Sequence, residues 1–361
     1  MTEASATPAA DTDAFRAGLQ AVVDDFLTAQ TTRLAPLGPD AARLLDAARE
    51  AITGGKRFRA AFCYWGYRAV AAPSPDEETA LLKACASLEL LHASALVHDD
   101  YMDASDTRRG HPATHRAFEG EHRTAGWRGN PEQYGAAAAI LLGDLLLTWA
   151  DEMLRTCGLP PERVEAAMRM FDICRTEVVA GQFLDVSVQA RGKADVATAM
   201  TVLRFKSAKY SIERPLHIGA ALAGADDAMI TALTGFGLPL GEAFQLRDDQ
   251  LGVFGDPEVT GKPAGDDLVE GKRTVLVAEA LSSSPADEAA LLDSSLGQDL
   301  DLATVDRLRR IIVDSGAHDR VEEMIADLAR DSVAALERAP LREEARDALR
   351  LLSAAVTQRV I

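Results

Sequence analysis

Positive charge is in short supply along this chain, which has 38 Lys and Arg residues against 56 Asp and Glu and a formal net charge of −18 at pH 7. A protein this acidic is repelled by nucleic-acid phosphates, so general nucleic-acid binding is not expected. The strongest apolar run, Ala136–Leu147, is interrupted by Gly143-Asp144 and is too short to cross a bilayer. No transmembrane segment is therefore predicted. The polar, acidic stretch from Met1 to Asp13 also lacks the pattern of a signal peptide.

Cysteine is rare as well. The four residues, Cys63, Cys85, Cys157 and Cys174, form no Cys-x-x-Cys pair and lie in apolar helical stretches. They are typical of reduced core thiols in a cytoplasmic protein. The stretch from His111 to His115 imitates metal-ligand spacing, but it lies in a predicted loop with an early proline, which disfavours a zinc site there.

Alternation of β-branched residues is nearly absent, which argues against a sheet. Apolar residues instead recur at intervals of three and four, so the fold is predicted to be all-α, a single-domain helical bundle over residues 13–361 after a disordered tail, 1–12. Loops are expected over Ala104–Asn130 and Val253–Arg273. The predicted helices are Phe15–Ala29, Asp40–Ile52, Arg57–Ala71, Glu77–Asp103, Gln133–Cys157, Pro161–Gln189, Asp195–Leu222, Asp226–Leu251, Thr274–Leu281, Leu302–Ser315, Asp319–Ala339 and Arg342–Thr357.

Lysine is the scarcest basic residue, with seven Lys against 31 Arg. Among them, Lys56, Lys262 and Lys272 each directly follow a glycine. Glycine lets the backbone approach a bulky anion, and lysine is a compact point charge suited to phosphate. Arg108 and Arg109 add forked donors that match phosphate geometry. These residues are therefore candidate phosphate ligands.

Two acidic clusters stand inside apolar, helix-favouring sequence, one at Asp99-Asp100 with Asp103 and one at Asp248-Asp249. Adjacent carboxylates repel one another and are costly to bury without a compensating cation. Asp99 and Asp103 are four residues apart, so they share one helix face and can share one ion. Magnesium prefers oxygen ligands and binds through a few carboxylates plus substrate phosphates. Acidic and basic residues together predict a site for a polyphosphate ester.

Six segments, in order, resemble the motifs of the trans-polyprenyl diphosphate synthases, most like those of actinobacterial geranylgeranyl diphosphate synthases. They are Gly54–Arg59, Asp99–Asp103 with Arg108-Arg109-Gly110, Gly181–Asp185, Lys206-Ser207-Ala208, Phe244–Asp249 and Gly261-Lys262. The resemblance implies one all-helical domain around a deep central cavity, a homodimer, and a reaction that joins isopentenyl diphosphate to an allylic diphosphate (dimethylallyl, geranyl or farnesyl) with Mg²⁺.

The resemblance also implies a role for each matching residue. Asp99, Asp103 and Asp248 would hold magnesium, three ions per site with substrate bound, while Arg108, Lys206 and Lys262 stabilise the charge that grows on the leaving diphosphate. Lys56, Arg59, His92 and Arg109 would hold the diphosphate of isopentenyl diphosphate, and Ser207 and Gln245 would place oxygens near the allylic cation. From the residues alone, a satisfied, half-buried histidine is the alternative interpretation of His92.

One position departs from the family pattern, because Gly252 stands where the second cluster usually has a third Asp. Glycine has no side chain to offer a metal, so the second site relies on Asp248, with help from Asp249 and from Asp256 in the following loop. If the departure is tolerated, Gly252→Asp is expected to change the rate by less than about tenfold.

Product length is predicted from the helix that leads into the first cluster. Ser94 and Ala95, about one turn before Asp99, are small where family members that stop at farnesyl carry aromatic residues, and Leu91 lies one turn deeper. Geranylgeranyl diphosphate is the predicted main product, with a farnesyl or longer-chain synthase as the alternative. A class I terpene cyclase and a non-catalytic subunit of a heteromeric synthase are further alternatives.

Overall fold

The computed structural model describes residues 13–193, 195–255 and 265–357. The predicted tail 1–12, Asp256 and Lys262 lie outside the described residues. Within these ranges the chain is almost entirely helical, which confirms the all-α class. The α-helices are α1 Asp13–Leu34, α2 Pro39–Ile52, α3 Phe58–Val70, α4 Pro75–Met102, α5 Thr114–Ala125, α6 Pro131–Arg155, α7 Pro161–Arg191, α8 Val196–Leu203, α9 Arg214–Leu222, α10 Asp227–Phe254, α11 Asp266–Val269, α12 Val275–Ser283, α13 Ala286–Ser295, α14 Leu302–Asp314, α15 Ala317–Arg338 and α16 Glu343–Thr357.

Three further elements complete the described chain. A short 3₁₀ turn, Ala35–Leu37, separates α1 from α2. Two residues of β1, Thr107–Arg108, pair antiparallel with β2, His111–Pro112, in a small hairpin after the first acidic cluster. A π-helical segment, Arg204–Glu213, joins α8 to α9.

The loop predicted over Ala104–Asn130 is wrong in part, because it contains β1, β2 and the whole of α5. The buried face of α5 is formed by His115, Phe118 and His122, which recur at helical spacing. Two of the three are histidines, so a search for apolar periodicity does not detect the helix. Helix α13 was also not predicted, because it has only one buried side chain, that of Leu292.

Helix α4 carries the first acidic cluster and begins at a capping box, in which Ser74 and Glu77 each accept a hydrogen bond from the other's backbone N–H. It is long and apolar enough to cross a membrane, but 67% of its most apolar window is buried inside the protein. Helices α3 and α6 pack against it. It is therefore a core helix, with buried side chains on all sides.

Two apolar clusters form the core, and α10 contributes to both. Its first half places Phe236 and Leu240 in the larger cluster with α1–α4, α6, α7 and α9. Its second half places Leu246 and Val253 in the smaller cluster with α12, α14 and α15. The second acidic cluster lies in this second half, so packing on both sides fixes its position.

The π-helical segment packs between α7 and α10 at two glycines. A Cβ at Gly181 in α7 would overlap the backbone of Phe205 and Lys206. A Cβ at Gly241 in α10 would lie 3.0 Å from Cα of Ala208. Glycine is required at both contacts because the backbones approach so closely. These contacts fix the backbone that carries Lys206 and Ser207.

Candidate active site

A cavity of about 690 Å³ opens where the acidic ends of α4 and α10 meet the π-helical segment. Most of the predicted site residues line it. They are Lys56, Arg59, His92, Ala95, Asp99, Arg108, Arg109, Lys206, Ser207, Gln245 and Asp248. An apolar part of the wall is formed by Leu96, Val178, Val202, Leu203 and Phe244. The cavity therefore joins a charged region to an apolar one.

Asp99 is surrounded by donors. Nζ of Lys206 lies 3.2 Å from its Oδ1, Nε2 of Gln182 donates to the same oxygen at 3.0 Å, and a guanidinium nitrogen of Arg108 lies 3.9 Å from Oδ2. Burial would raise the pKa of Asp99, but the charges of Lys206, Lys272 and Arg108 hold it below the ordinary value. Asp99 is therefore ionised at neutral pH.

Asp103 has a different environment on the same helix face. Its side chain is 3% exposed, and neither carboxylate oxygen has a hydrogen-bond partner. The nearest charge is Nζ of Lys272, 3.7 Å from Oδ2. Burial and the negative charge of Asp99 raise the pKa of Asp103 to about 6. A buried carboxylate without a donor is a position that suits a bound cation.

Lys206 connects the first cluster to α7. Its Nζ donates to Oδ2 of Asp185 at 2.6 Å while lying beside Asp99. Burial lowers and the two carboxylates raise the pKa of Lys206, and the net shift is upward. The ammonium group is thus held charged between two acids, one of which, Asp185, ends the Gly181–Asp185 motif.

The second cluster is built around Asp248, which lines the cavity, and Asp249, which is buried. Nε2 of Gln245 donates to Oδ1 of Asp249 at 2.8 Å. Burial and the charge of Asp267 raise the pKa of Asp249 well above its ordinary range. Asp248 is therefore the better candidate for a metal ligand.

Lys272, one of the lysines that follow a glycine, forms ion pairs near the second cluster. Its Nζ lies 3.3 Å from Oδ1 of Asp267 and also pairs with Glu270. Burial lowers its pKa, but these carboxylates and Asp103 raise it well above the ordinary value. Sequence reasoning did not identify Asp267, because the Asp266-Asp267 pair lies in the predicted loop Val253–Arg273 and not in an apolar helical stretch.

A basic region formed by the loop before α3 and by Arg109 also lines the cavity. Gly54, Gly55 and Arg57 all have positive φ, so the loop before α3 turns sharply. Arg109, also at positive φ, donates to the carbonyl oxygen of Thr53. A Cβ at Gly55 would come within 3.1 Å of the Arg109 guanidinium, so glycine makes room for this arginine.

Arg59 and His92 meet at Tyr210 of the π-helical segment. Arg59 lies 4.2 Å above the tyrosine ring centroid and donates to Oγ of Ser211 at 2.8 Å. Nδ1 of His92 and the Tyr210 hydroxyl share a hydrogen bond of 2.6 Å. Burial and the charges of Arg59 and Arg109 hold the pKa of His92 well below its usual value. His92 is therefore a neutral imidazole that can serve a substrate as a hydrogen-bond donor but not as a cation.

The three residues predicted to set product length occupy different surroundings. Ala95 lines the cavity. Ser94 is buried and donates from Oγ to the carbonyl oxygen of Gly143 in α6 at 2.7 Å. Leu91 is buried in the larger core cluster. The structure thus places Ala95 at the cavity wall, whereas Ser94 faces α6.

Comparison with known proteins adds to this geometry. The polyprenyl synthetase family model matches residues 41–312. The fold is similar to that of geranylgeranyl pyrophosphate synthase from Corynebacterium glutamicum complexed with isoprenyl diphosphate and magnesium, with a TM-score of 0.92 and 39% identity over 97% of this chain and 100% of that chain.

Curated relatives agree on the family and differ in product. The sequence is 37% identical over 239 residues to geranylgeranyl diphosphate synthase from Mycobacterium tuberculosis, covering 66% of this chain and 62% of that protein. It is 34% identical over 314 residues to geranylfarnesyl diphosphate synthase from Aeropyrum pernix, covering 85% of this chain and 91% of that protein.

Proposed function

The chain belongs to the polyprenyl synthetase family and is a trans-prenyltransferase, and we propose that its main product is all-trans geranylgeranyl diphosphate. The observation that carries this proposal is the cavity itself. Its lining combines acidic residues with Ala95, a methyl side chain, and with the apolar residues Leu96, Val178 and Leu203. A growing prenyl chain requires such an apolar extension, and no aromatic ring stands at position 95 to close it.

The charged end fits magnesium and an allylic diphosphate. Asp99, Asp103 and Asp248 would hold the metal, with three ions as the proposed complement. The buried, unpartnered oxygens of Asp103 support this fit. Bound Mg²⁺ would neutralise charge on the allylic diphosphate as its C–O bond breaks. Lys206 and Arg108, and Lys262 beyond the described residues, would donate to the same oxygens, and this contribution grows with the developing charge.

The basic region would receive isopentenyl diphosphate, which does not ionise and needs no metal. Lys56, Arg59 and Arg109 would supply its positive charge, and neutral His92 would donate a hydrogen bond. The presence of both a basic region and two acidic clusters in the cavity lining supports two distinct diphosphate sites. Oxygens of Ser207 and Gln245 would lie near the allylic cation, and the released diphosphate would accept the proton lost after condensation.

The decisive experiment is incubation with labelled isopentenyl diphosphate and, separately, dimethylallyl, geranyl and farnesyl diphosphate, followed by chromatography of dephosphorylated products. Geranylgeraniol is the expected main product. Farnesol or a longer alcohol as the main product would overturn the proposed length. Failure to elongate any primer would overturn the proposed activity for this chain.

A matched pair of substitutions tests the position of the cavity wall. Ala95→Phe should fill the cavity and shorten the product. Ser94→Phe should act differently, because Ser94 faces Gly143 and the larger ring should overpack the α4–α6 contact at about 1–3 kcal/mol of stability. Equal product lengths for wild type and Ala95→Phe would show that the wall lies elsewhere.

A homodimer is the proposed assembly. Val179, Phe183 and Val186 form an exposed apolar stripe along one face of α7, with Phe183 74% exposed, and Leu141 of α6 is 62% exposed. A contiguous exposed apolar surface of this kind is typical of a protein interface. Phe183→Asp should shift the mass measured by light scattering from dimer to monomer, whereas Val313→Asp, at an exposed valine on α14, should not. The free, buried cysteines support a cytoplasmic location.

A further inference from the structure

The space beside Gly252 is filled by the side chain of another residue. It lies four residues after Asp248 on α10, so a side chain there would project on the same helix face. A Cβ added at Gly252 would overlap Cγ and Oδ2 of Asp267 and would lie 2.9 Å from Oδ1. The carboxylate of Asp267 thus occupies the volume into which a residue-252 side chain would grow.

Asp267 is built into the site rather than exposed beside it. It is buried on α11, lines the cavity and lies 3.3 Å from Nζ of Lys272. Lys272 also lies 3.7 Å from Asp103, so Asp267 shares a counterion with the first cluster.

We propose that Asp267 supplies, from α11, the third carboxylate that α10 lacks at position 252. This proposal rests on the function proposed above, in which the second cluster acts on a magnesium-bound diphosphate. The second acidic site is then assembled from two segments of the chain. Asp248 comes from α10, and Asp267 reaches the position beside Gly252 from the opposite side.

The proposal reverses the expectation for Gly252→Asp. A new carboxylate would have to displace that of Asp267, and the two like charges would repel one another. Gly252→Asp alone should therefore damage the site. The same substitution should become favourable once Asp267 is shortened, because the relocated carboxylate then enters the vacated volume.

A double-mutant cycle on the full chain tests this relocation. Affinity for inorganic diphosphate in the presence of Mg²⁺ is measured by calorimetry, and condensation rate is measured in parallel. Asp267→Ala should weaken Mg²⁺-dependent diphosphate binding by about 10- to 100-fold. Gly252→Asp should weaken it as well. The Gly252→Asp/Asp267→Ala double variant should recover most of the affinity lost by Asp267→Ala, so the two effects should be strongly non-additive.

Two further variants guard against a structural explanation. Asp267→Asn keeps the shape of the side chain and removes its charge, and it should reproduce the weakened binding of Asp267→Ala without a lower melting temperature. Asp266→Ala, the adjacent carboxylate that does not line the cavity, should bind like wild type. Unchanged binding in Asp267→Asn, or a double variant worse than either single variant, overturns the proposal. A wild type that neither binds diphosphate with Mg²⁺ nor condenses substrates overturns the proposed function instead.

Discussion

The first acidic cluster is local and the second is not. Asp99 and Asp103 come from successive turns of α4, whereas Asp248 on α10 is accompanied by Asp267 on α11. Each cluster faces a partly buried lysine from another segment, Lys206 in the first case and Lys272 in the second. Two routes therefore lead to the same chemistry. One is fixed by helix periodicity and the other by tertiary contact, so only the first is visible as a sequence spacing.

The largest expected effect comes from removing one carboxylate from each cluster. Asp99→Asn and Asp248→Asn should each lower turnover by at least about 100-fold, because each removes charge that acts where the leaving group becomes negative. Both variants should remain folded, since replacing one of several crowded carboxylates relieves repulsion. Turnover with and without chelator, together with thermal melts, checks this, and near wild-type turnover for Asp99→Asn contradicts it.

The two lysines should differ in their structural importance. Lys272→Met leaves Asp103, Asp267 and Glu270 without their shared ammonium group, and breaking such a buried pair costs about 3–5 kcal/mol. Lys206→Met should cost less, because Asp99 keeps Gln182 and Arg108 as partners. Denaturant unfolding in chelator measures the difference. Equal losses would show that the clusters depend on their lysines to the same extent.

Protonation of Asp103 should make the stability of the folded protein depend on pH. Its pKa is raised to about 6 from 3.8, chiefly by burial. Between about pH 4 and 6 the folded chain therefore retains a proton on Asp103 that the unfolded chain releases. The contribution of this proton to the free energy of unfolding is fully present below about pH 4 and is lost as pH rises through 6. The free energy of unfolding of Asp103→Asn minus that of wild type, measured without divalent ions, should increase by up to about 3 kcal/mol from pH 4 to 7.

Gln298→Ala, at an exposed position and without a titratable side chain, is the control for this pH series. Its difference from wild type should stay nearly constant across the range. A constant difference for Asp103→Asn as well would mean that Asp103 is not protonated in the folded protein near pH 5.

The smallest effect concerns a direct link between the segments that follow the two clusters. Oγ of Ser105 donates to Oε1 of Glu270 at 2.8 Å. Ser105→Ala should lower stability by about 1 kcal/mol, because Glu270 keeps its pairing with Lys272. Ser294→Ala, whose hydroxyl bonds within its own helix, is the matched control. If Ser105→Ala loses no more stability than Ser294→Ala, the hydrogen bond between Ser105 and Glu270 does not stabilise the link between the two segments.

Sequence reasoning succeeded where a pattern is local. Helical spacing predicted α4 and α10, and i, i+4 spacing placed Asp99 and Asp103 together. It failed where position depends on distant segments. The Asp266-Asp267 pair lies in a predicted loop, where no helical spacing relates it to Asp248. The orientation of Ser94 toward Gly143 depends on how α6 packs. The neutral state of His92 likewise arises from burial beside Arg59 and Arg109, which come from other parts of the chain.

The π-helical segment has a consequence for how this protein tolerates changes in length. A π-helical turn holds more residues than an α-helical one, so α9 is out of phase with the continuation of α8. Removing one residue between Arg204 and Glu213 would rotate everything after it by about 100°, and Pro215–Leu222, all buried, would lose their packing partners. Over evolutionary time this segment should accept substitutions at its outward positions while selection removes single-residue insertions and deletions.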